Sequence, residues 1–173
     1  MSGYVAVFSA RFRTLLQYRA AAIAGLATQL FWGLIRVMIF TAFYESSSAE
    51  QPMSLPEVVS YIWLSQAMFR LLPWGVDPDI RGMIRSGAVA YEMLRPLDTY
   101  SLWLTRGIAN HAAPTLLRAL PMLPAAFLFF GMSPPASLAG AVACAACLCG
   151  ALLLSATIAT LMAILMLWTV SGE

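Results

Sequence analysis

The sequence contains no lysine, one histidine and few charged residues of any kind, which limits the class of protein it can encode. Charged types make up 10% of the 173 residues, whereas a soluble domain carries about 25%. So little charge cannot cover a surface that faces water, and apolar types account for 61% of the chain. We therefore predict an integral membrane protein.

The sequence also lacks the features of a nucleic-acid-binding protein, a disulfide-rich domain and an ATPase. Ten arginines against eight carboxylates give a net charge of only +2, without the clustered basic face that nucleic acid requires. Cys144, Cys147 and Cys149 crowd into one apolar run with no histidine nearby, which favours helix packing over disulfides or a metal site. A G-x-x-x-x-G-K-[ST] loop to hold phosphates is absent, so this chain is not expected to hydrolyse ATP.

Long apolar runs predict an all-α membrane protein with an interfacial N-terminal helix and about four transmembrane helices. Residues 4–19 alternate apolar and basic positions at helical spacing, which is typical of a helix in the membrane interface or of a cytosolic helix packed on a partner. No A-x-A-like cleavage site follows a short apolar core, so the first span is expected to remain in the mature protein. The four spans are placed at Ala20–Tyr44, at Leu55–Trp74, within Thr99–Gly131, and from Leu138 to about Trp168.

The third span leaves two alternatives, because Pro114, Pro121 and Pro124 interrupt it. Either one long kinked helix projects into the cytosol, or residues 99–113 lie along the interface and residues 114–131 cross the membrane.

The arginines predict the orientation of these spans. Arg11, Arg13 and Arg19 precede the first span, residues 75–98 carry three more arginines, and the loops at 45–54 and 132–137 carry no cation. The positive-inside rule therefore places the N-terminus, residues 75–98 and the C-terminus in the cytosol, with the chain in the cytoplasmic (inner) membrane.

Residues 77–87 form the only short helix with clear boundaries at both ends. Asp77 suits the N-cap, Pro78 the first helical position, and Gly87 a left-handed stop. Ile80, Met83 and Ile84 share an apolar strip, while Arg81 and Arg85 form a basic ridge. Because a two-turn helix is too short to be stable alone, it needs a surface to dock on. Asp98 is predicted to cap the third span, and residues 88–95 to be extended or a further turn.

Arginines within or beside the spans are candidates for substrate or lipid contact. Arg36 lies inside the first span, where it either faces the helix bundle and contacts a substrate head group or acidic partner, or bonds to carbonyl groups or lipid phosphate. Arg70, at the inner boundary, is expected to anchor on lipid phosphate, and Arg118 is an edge anchor if residues 99–113 are interfacial. Arg106 and His111 receive no role.

Three strings of the sequence carry a resemblance to a known family. They are Phe12-Arg-x-Leu-Leu-x-Tyr-Arg-Ala20, Thr28-Gln29-x-Phe31-Trp32-Gly33, and Ile84-Arg85-Ser86-Gly87-x-Val89-x-Tyr91-Glu92-x-Leu94-Arg95-Pro96-Leu97-Asp98. Together with the closing Trp168–Glu173 they resemble the ABC-2 family of transporter permeases, in its branch of drug and lipid exporters. The resemblance covers the whole chain.

The resemblance implies a membrane-spanning permease subunit of an ATP-driven exporter, which moves a hydrophobic or amphipathic substrate of the drug, lipid or glycan class. It implies a cytosolic ABC ATPase subunit, which uses ATP and Mg, a second permease subunit, identical or related, and membrane lipids as partners. The chain itself is then no enzyme and binds no cofactor or metal. Because the family has six spans, residues 1–173 are expected to be a single permease domain with the first four of them.

The short helix matches the position of the family's coupling helix, which sits in a groove of the ATPase. The resemblance thus implies an apolar strip that fills the groove and charged side chains that orient the contact. The residues expected to dock are Asp77, Asp79, Ile80, Arg81, Met83, Ile84, Arg85, Glu92 and Arg95.

Two other functions are weighed against export. A secondary transporter or channel is expected to show internal repeats or polar residues at the bilayer midplane. A membrane-embedded lipid-modifying enzyme needs a carboxylate or His/Ser constellation at the membrane edge. Asp77 and Asp79 have a spacing that suits a metal, but helix capping explains both.

Overall fold

A computed structural model describes residues 3–169 of the chain, and within that range every regular element is a helix. The elements are α1 (Gly3–Leu16), α2 (Arg19–Ser46), α3 (Leu55–Ala67), a 3-10 turn (Phe69–Leu71), α4 (Pro78–Ser86), α5 (Val89–Met93), α6 (Thr99–Phe129) and α7 (Leu138–Thr169). The all-α prediction is confirmed. The predicted cytosolic C-terminus and the last residues of the string Trp168–Glu173 lie outside the described residues.

Three helices are long and apolar enough to cross a membrane on their own: α2, α6 and α7. The apolar part of α2 has 27 residues, which corresponds to about 40 Å of helix. These helices indicate a membrane protein, and they coincide with the predicted first, third and fourth spans. α6 continues through Pro114, Pro121 and Pro124 as one helix, which favours the long-helix alternative for the third span.

The predicted second span is shorter than expected. α3 starts as predicted, with Pro56 in its first turn and with Glu57 accepting a hydrogen bond from the backbone N–H of Ser54 at 2.7 Å. It ends at Ala67, however, so the prediction of one helix to Trp74 is wrong. Pro73 has no N–H to donate and pushes the preceding residue out of the helical region, so the chain tightens into the 3-10 turn instead.

The chain divides into two compact units, of which the first comprises residues 18–70 and 114–145. Here α2 and α3 pack against each other in antiparallel register, because the Tyr44 hydroxyl donates to the Met53 carbonyl at 2.6 Å and Gly33 lies against Trp63. Trp63 is fully buried and stacks on Phe130 with ring centroids 4.9 Å apart. The core of this unit, the Trp63 cluster, consists of Val59, Trp63, Ala67, Ala119, Met122 and Ala126.

Among the described residues, the second unit comprises residues 3–17, 71–113 and 146–169. Its core, the Ile80 cluster, consists of Ile80, Leu102, Trp103 and Ala163. Helices α6 and α7 approach closely at Gly107, where a Cβ atom would lie 3.4 Å from the Ala156 carbonyl oxygen. The Ser155 hydroxyl donates to the Leu71 carbonyl and joins α7 to the segment before α4.

The N-terminal helix α1 belongs to this second unit and packs on it through Tyr4 and Val7, which contact the Ile80 cluster. The helix predicted over residues 4–19 is confirmed from Gly3 to Leu16. Phe8 and Phe12 stack on each other at 5.4 Å between ring centroids. The interface position of this helix remains a prediction.

Replacing Gly33 with Ala tests the antiparallel contact of α2 and α3. A Cβ atom there would lie 2.5 Å from Trp63 Cζ3, and the buried indole has no room to move. We expect the free energy of unfolding in detergent to fall by about 1–3 kcal/mol. Gly150→Ala is the matched control, since nothing lies within 4 Å of that position. Equal stability of the two variants would contradict the packing.

Candidate functional site: the α4 segment

Helix α4 has the boundaries that the sequence predicts. The Asp77 side chain accepts a hydrogen bond from the Asp79 backbone N–H at 2.9 Å, Pro78 occupies the first turn, and Gly87 ends the helix with φ of 74°. These caps satisfy backbone groups that a helix leaves unpaired at its two ends. The helix is therefore well formed despite its nine residues. The next turn, α5, confirms the helical alternative for residues 88–95.

Arg11 on α1 holds the N-terminus of α4. Its guanidinium lies 2.5 Å from Asp79 Oδ2 and 3.2 Å from Asp77 Oδ1, and its Nε donates to Asn110 Oδ1 at 2.8 Å. Asn110 in turn donates to Asp77 Oδ2 at 2.6 Å. Asp77 is thus a buried carboxylate, 8% exposed, that is both a cap and an ion-pair partner. Charge-assisted hydrogen bonds of this kind are stronger than neutral ones.

The sequence predicts only that Arg11 marks the cytosolic side of the membrane. It does not predict the contacts of Arg11 with the two aspartates, or with Asn110. The one available signal was the charge pattern: Asp77 and Asp79 are the only closely spaced acidic pair, and a cationic helix precedes the first span.

The apolar strip of α4 faces its own chain. Ile80 is only 3% exposed and belongs to the Ile80 cluster, against which Met83 and Ile84 also pack. Ile80 is thus covered by Leu102 and Trp103 of α6 and by Ala163 of α7, and its expected contact with a groove of a partner stays a prediction. The strip fixes α4 to the rest of its unit.

Glu92 on α5 is also buried, and the docking role expected of it stays a prediction. It is 4% exposed and accepts hydrogen bonds from Trp103 Nε1 at 3.0 Å and from Arg106, whose Nη2 lies 2.8 Å from Oε1. Arg95 lies at 3.8 Å from the same carboxylate. Arg106, which received no role from the sequence, therefore neutralises a buried acid.

Asp98 caps α6, as predicted. Its carboxylate accepts a hydrogen bond from the Ser101 backbone N–H at 2.7 Å. This backbone bond and a side-chain bond from Ser101 hold the pKa of Asp98 below its ordinary value, since both favour the charged form.

The outward face of α4 is polar and basic. Arg81, Gly82, Arg85 and Ser86 are exposed, and Asp79 is 62% exposed beside them. No carboxylate within residues 3–169 forms an ion pair with Arg81 or Arg85. This face can therefore accept an acidic surface without first breaking contacts within the chain.

The other predicted side chains lie away from α4. Arg36 is exposed on α2, and Arg70 is partly buried in the 3-10 turn. Cys144, Cys147 and Cys149 are free and exposed on α7. His111 is buried, with Nδ1 2.8 Å from the Gly107 carbonyl oxygen. Among residues 3–169 no group of three or more His, Cys, Asp or Glu side chains could hold a metal ion.

No protein-family model, curated protein or solved structure matches this chain in the comparisons with known proteins. The function is therefore argued from the geometry of the α4 segment.

Two substitutions of Asp77 separate its roles as cap and as ion-pair partner. Asp77→Ala removes both, so we expect the free energy of unfolding to fall by about 1–3 kcal/mol and trypsin to cleave faster after Arg85 and Arg95. Asp77→Asn keeps a good N-cap but loses the negative charge that faces Arg11, and should cost about 1 kcal/mol. Chemical unfolding in detergent and timed proteolysis measure both effects. Wild-type behaviour of Asp77→Ala would contradict the anchoring of α4.

Proposed function

We propose that this chain is the membrane-spanning permease subunit of an ATP-driven exporter of the ABC-2 type. A separate cytosolic ATPase subunit docks on α4, and a second permease subunit completes the pathway for a hydrophobic or amphipathic drug, lipid or glycan. The observation that carries this proposal is that one face of α4 is anchored to the chain and the other face is exposed. Its apolar strip and N-terminus are fixed to the chain, while Arg81 and Arg85 stay exposed and unpaired.

The contacts of Arg11 support the placement of α1 and α4 on the same side of the membrane. Arg11 binds Asp77 and Asp79, although α2 and α3 lie between them in the chain. If α2 crosses the membrane, the chain has to return before Asp77. The cations on both segments favour the cytosolic side.

The return path is long enough for a second crossing. α3 runs antiparallel to α2, from Met53 beside Tyr44 to Trp63 beside Gly33. The 13 residues of α3 and the 3 residues of the 3-10 turn span about 25 Å, close to the ~30 Å of a hydrocarbon core. This supports a four-span topology in which the second span is a broken helix.

A rigid attachment is what a force-transmitting helix needs. α4 is tied to α1 by Arg11, to α6 by Asn110 and Trp103, and to α7 by Ala163. A push on the exposed face is therefore passed to three other helices instead of bending a loop. The unpaired arginines on that face suit an acidic surface on the ATPase, since complementary charge orients a docking partner.

Cysteine labelling tests the topology. After the native cysteines are replaced by alanine, Ser48→Cys and Ser86→Cys each place one thiol on an exposed residue. We expect a membrane-impermeant maleimide to label position 48 in intact cells, and position 86 only in inverted vesicles. Labelling of both positions from the same side would contradict the four-span arrangement.

Charge reversal on the outward face tests the docking role. The tagged chain is purified from its native membrane, and ATP hydrolysis by the assembly is measured. Arg81→Glu with Arg85→Glu should lower the associated ATP hydrolysis at least about tenfold, because like charges across an interface cost several kcal/mol. Because both arginines also belong to the positive charge that orients this segment, the accessibility of position 86 is measured in the same variant, and the test counts only where that position stays on the cytosolic side.

Arg13→Glu is the matched control for this experiment. Arg13 is exposed on α1, and its reversal changes the net charge in the same direction without altering α4. It should leave the associated ATP hydrolysis unchanged. If no ATPase accompanies the wild-type chain, the proposed function is rejected.

A further inference from the structure

Two arginines of the unit that contains residues 18–70 and 114–145 lie on elements that pack together. Arg70 in the 3-10 turn follows Ala67 by three residues, Arg118 on α6 adjoins Ala119, and Ala67 and Ala119 both belong to the Trp63 cluster. Within residues 3–169 neither guanidinium forms an ion pair with a carboxylate. The acids of this unit, Glu45, Glu50 and Glu57, belong to the end of the α2–α3 hairpin where Tyr44 meets Met53.

Part of this arrangement is buried and unsatisfied. Arg118 Nε is buried and has no hydrogen-bond partner in the structure. Thr115 Oγ1, one turn earlier on α6, is also buried without a partner, and residues three apart lie on the same helix face. Buried polar groups and charges are costly unless they are paired.

The backbone of α2 makes room for this cation. A Cβ atom at Gly25 would lie 2.5 Å from Arg118 Nη2, 2.6 Å from Cζ and 2.7 Å from Nε. Any other residue at position 25 would displace the guanidinium. The absence of a side chain at Gly25 thus lets the guanidinium of Arg118 lie directly against the backbone of α2.

We infer that Arg70 and Arg118 together bind one phosphate group, either of a membrane phospholipid or of a water-soluble phosphate ester. A guanidinium presents several N–H donors in a planar fork that matches phosphate oxygens. One anion between the two cations cancels their repulsion and supplies the acceptor that Arg118 Nε lacks. This assignment does not depend on whether the chain is an exporter.

The depth of the pair favours a lipid as the source of the phosphate. Gly25, which contacts Arg118, and Tyr44, at the loop end, are separated on α2 by about 29 Å of helix. A hydrocarbon core is ~30 Å thick. If Tyr44 lies at one membrane boundary, as interfacial tyrosines do, Arg118 lies at the opposite boundary, where phospholipid head groups are found.

Lipid titration with the purified full-length chain tests the site. Native mass spectrometry in neutral detergent compares dioleoyl phosphatidic acid with dioleoylglycerol, which has the same chains and no phosphate. We expect the phosphate lipid to bind at least about tenfold more tightly. Arg70→Gln and Arg118→Gln should each remove most of this preference, and Arg13→Gln, at an exposed position, should not.

Two further measurements identify the source and the geometry. Inorganic phosphate and glycerol 3-phosphate are added as competitors: displacement of the lipid at millimolar concentration supports a soluble phosphate ester, and resistance supports a lipid head group. Gly25→Ala keeps both arginines but displaces Arg118, so it should weaken phosphatidic acid binding about tenfold while circular dichroism remains unchanged.

The inference is overturned if phosphatidic acid binds no better than dioleoylglycerol, or if both arginine variants bind it as the wild type does. Wild-type binding by Gly25→Ala would equally overturn the two-arginine geometry.

Discussion

The contact of Arg11 with Asp77 and Asp79 is the interaction on which the rest of the structure depends. It joins side chains that are 66 and 68 positions apart in the chain, and so ties α1 to α4. α4 has only nine residues, and a helix of that length is not stable without tertiary contacts. Arg11 supplies such a contact at one end of α4, and Ile80 supplies another on its inner face. The helices α2 and α3, which lie between α1 and α4 in the chain, have to be compatible with that closure.

Ile80 on the inner side of α4 is covered within the chain, whereas Arg81 and Arg85 on its outer side are exposed. An interface formed through these two arginines, as proposed, would gain orientation and rate of association from charge more than it would gain affinity from buried apolar area. It would weaken as salt is added, because exposed charges are screened. Since apolar packing fixes the other face of α4, the helix does not depend on an external partner for its fold.

The sequence predicts the local features of this molecule well and the distant ones poorly. Asp77, Pro78 and Gly87 bound α4 as expected, because capping depends on residues only a few positions apart. The inward position of Glu92 could not be predicted, since it depends on Trp103 and Arg106 of another helix. Likewise nothing local to Arg11 indicates that Asn110 lies beside it. The early end of α3 lies between these cases: the apolar run predicts a helix to Trp74, but the helix ends at Ala67 and a 3-10 turn precedes Pro73.

The distribution of charge separates structural arginines from those that need a partner outside the chain. In the unit around α4, three carboxylates are paired with Arg11, Arg95 or Arg106, and these pairs hold helices together. In the unit around α2 and α3, neither Arg70 nor Arg118 forms an ion pair with a carboxylate of residues 3–169, although Nε of Arg118 is buried. A buried cationic group is costly unless an anion pairs with it. At the depth inferred for these arginines, the phosphate groups of a surrounding bilayer would supply that anion.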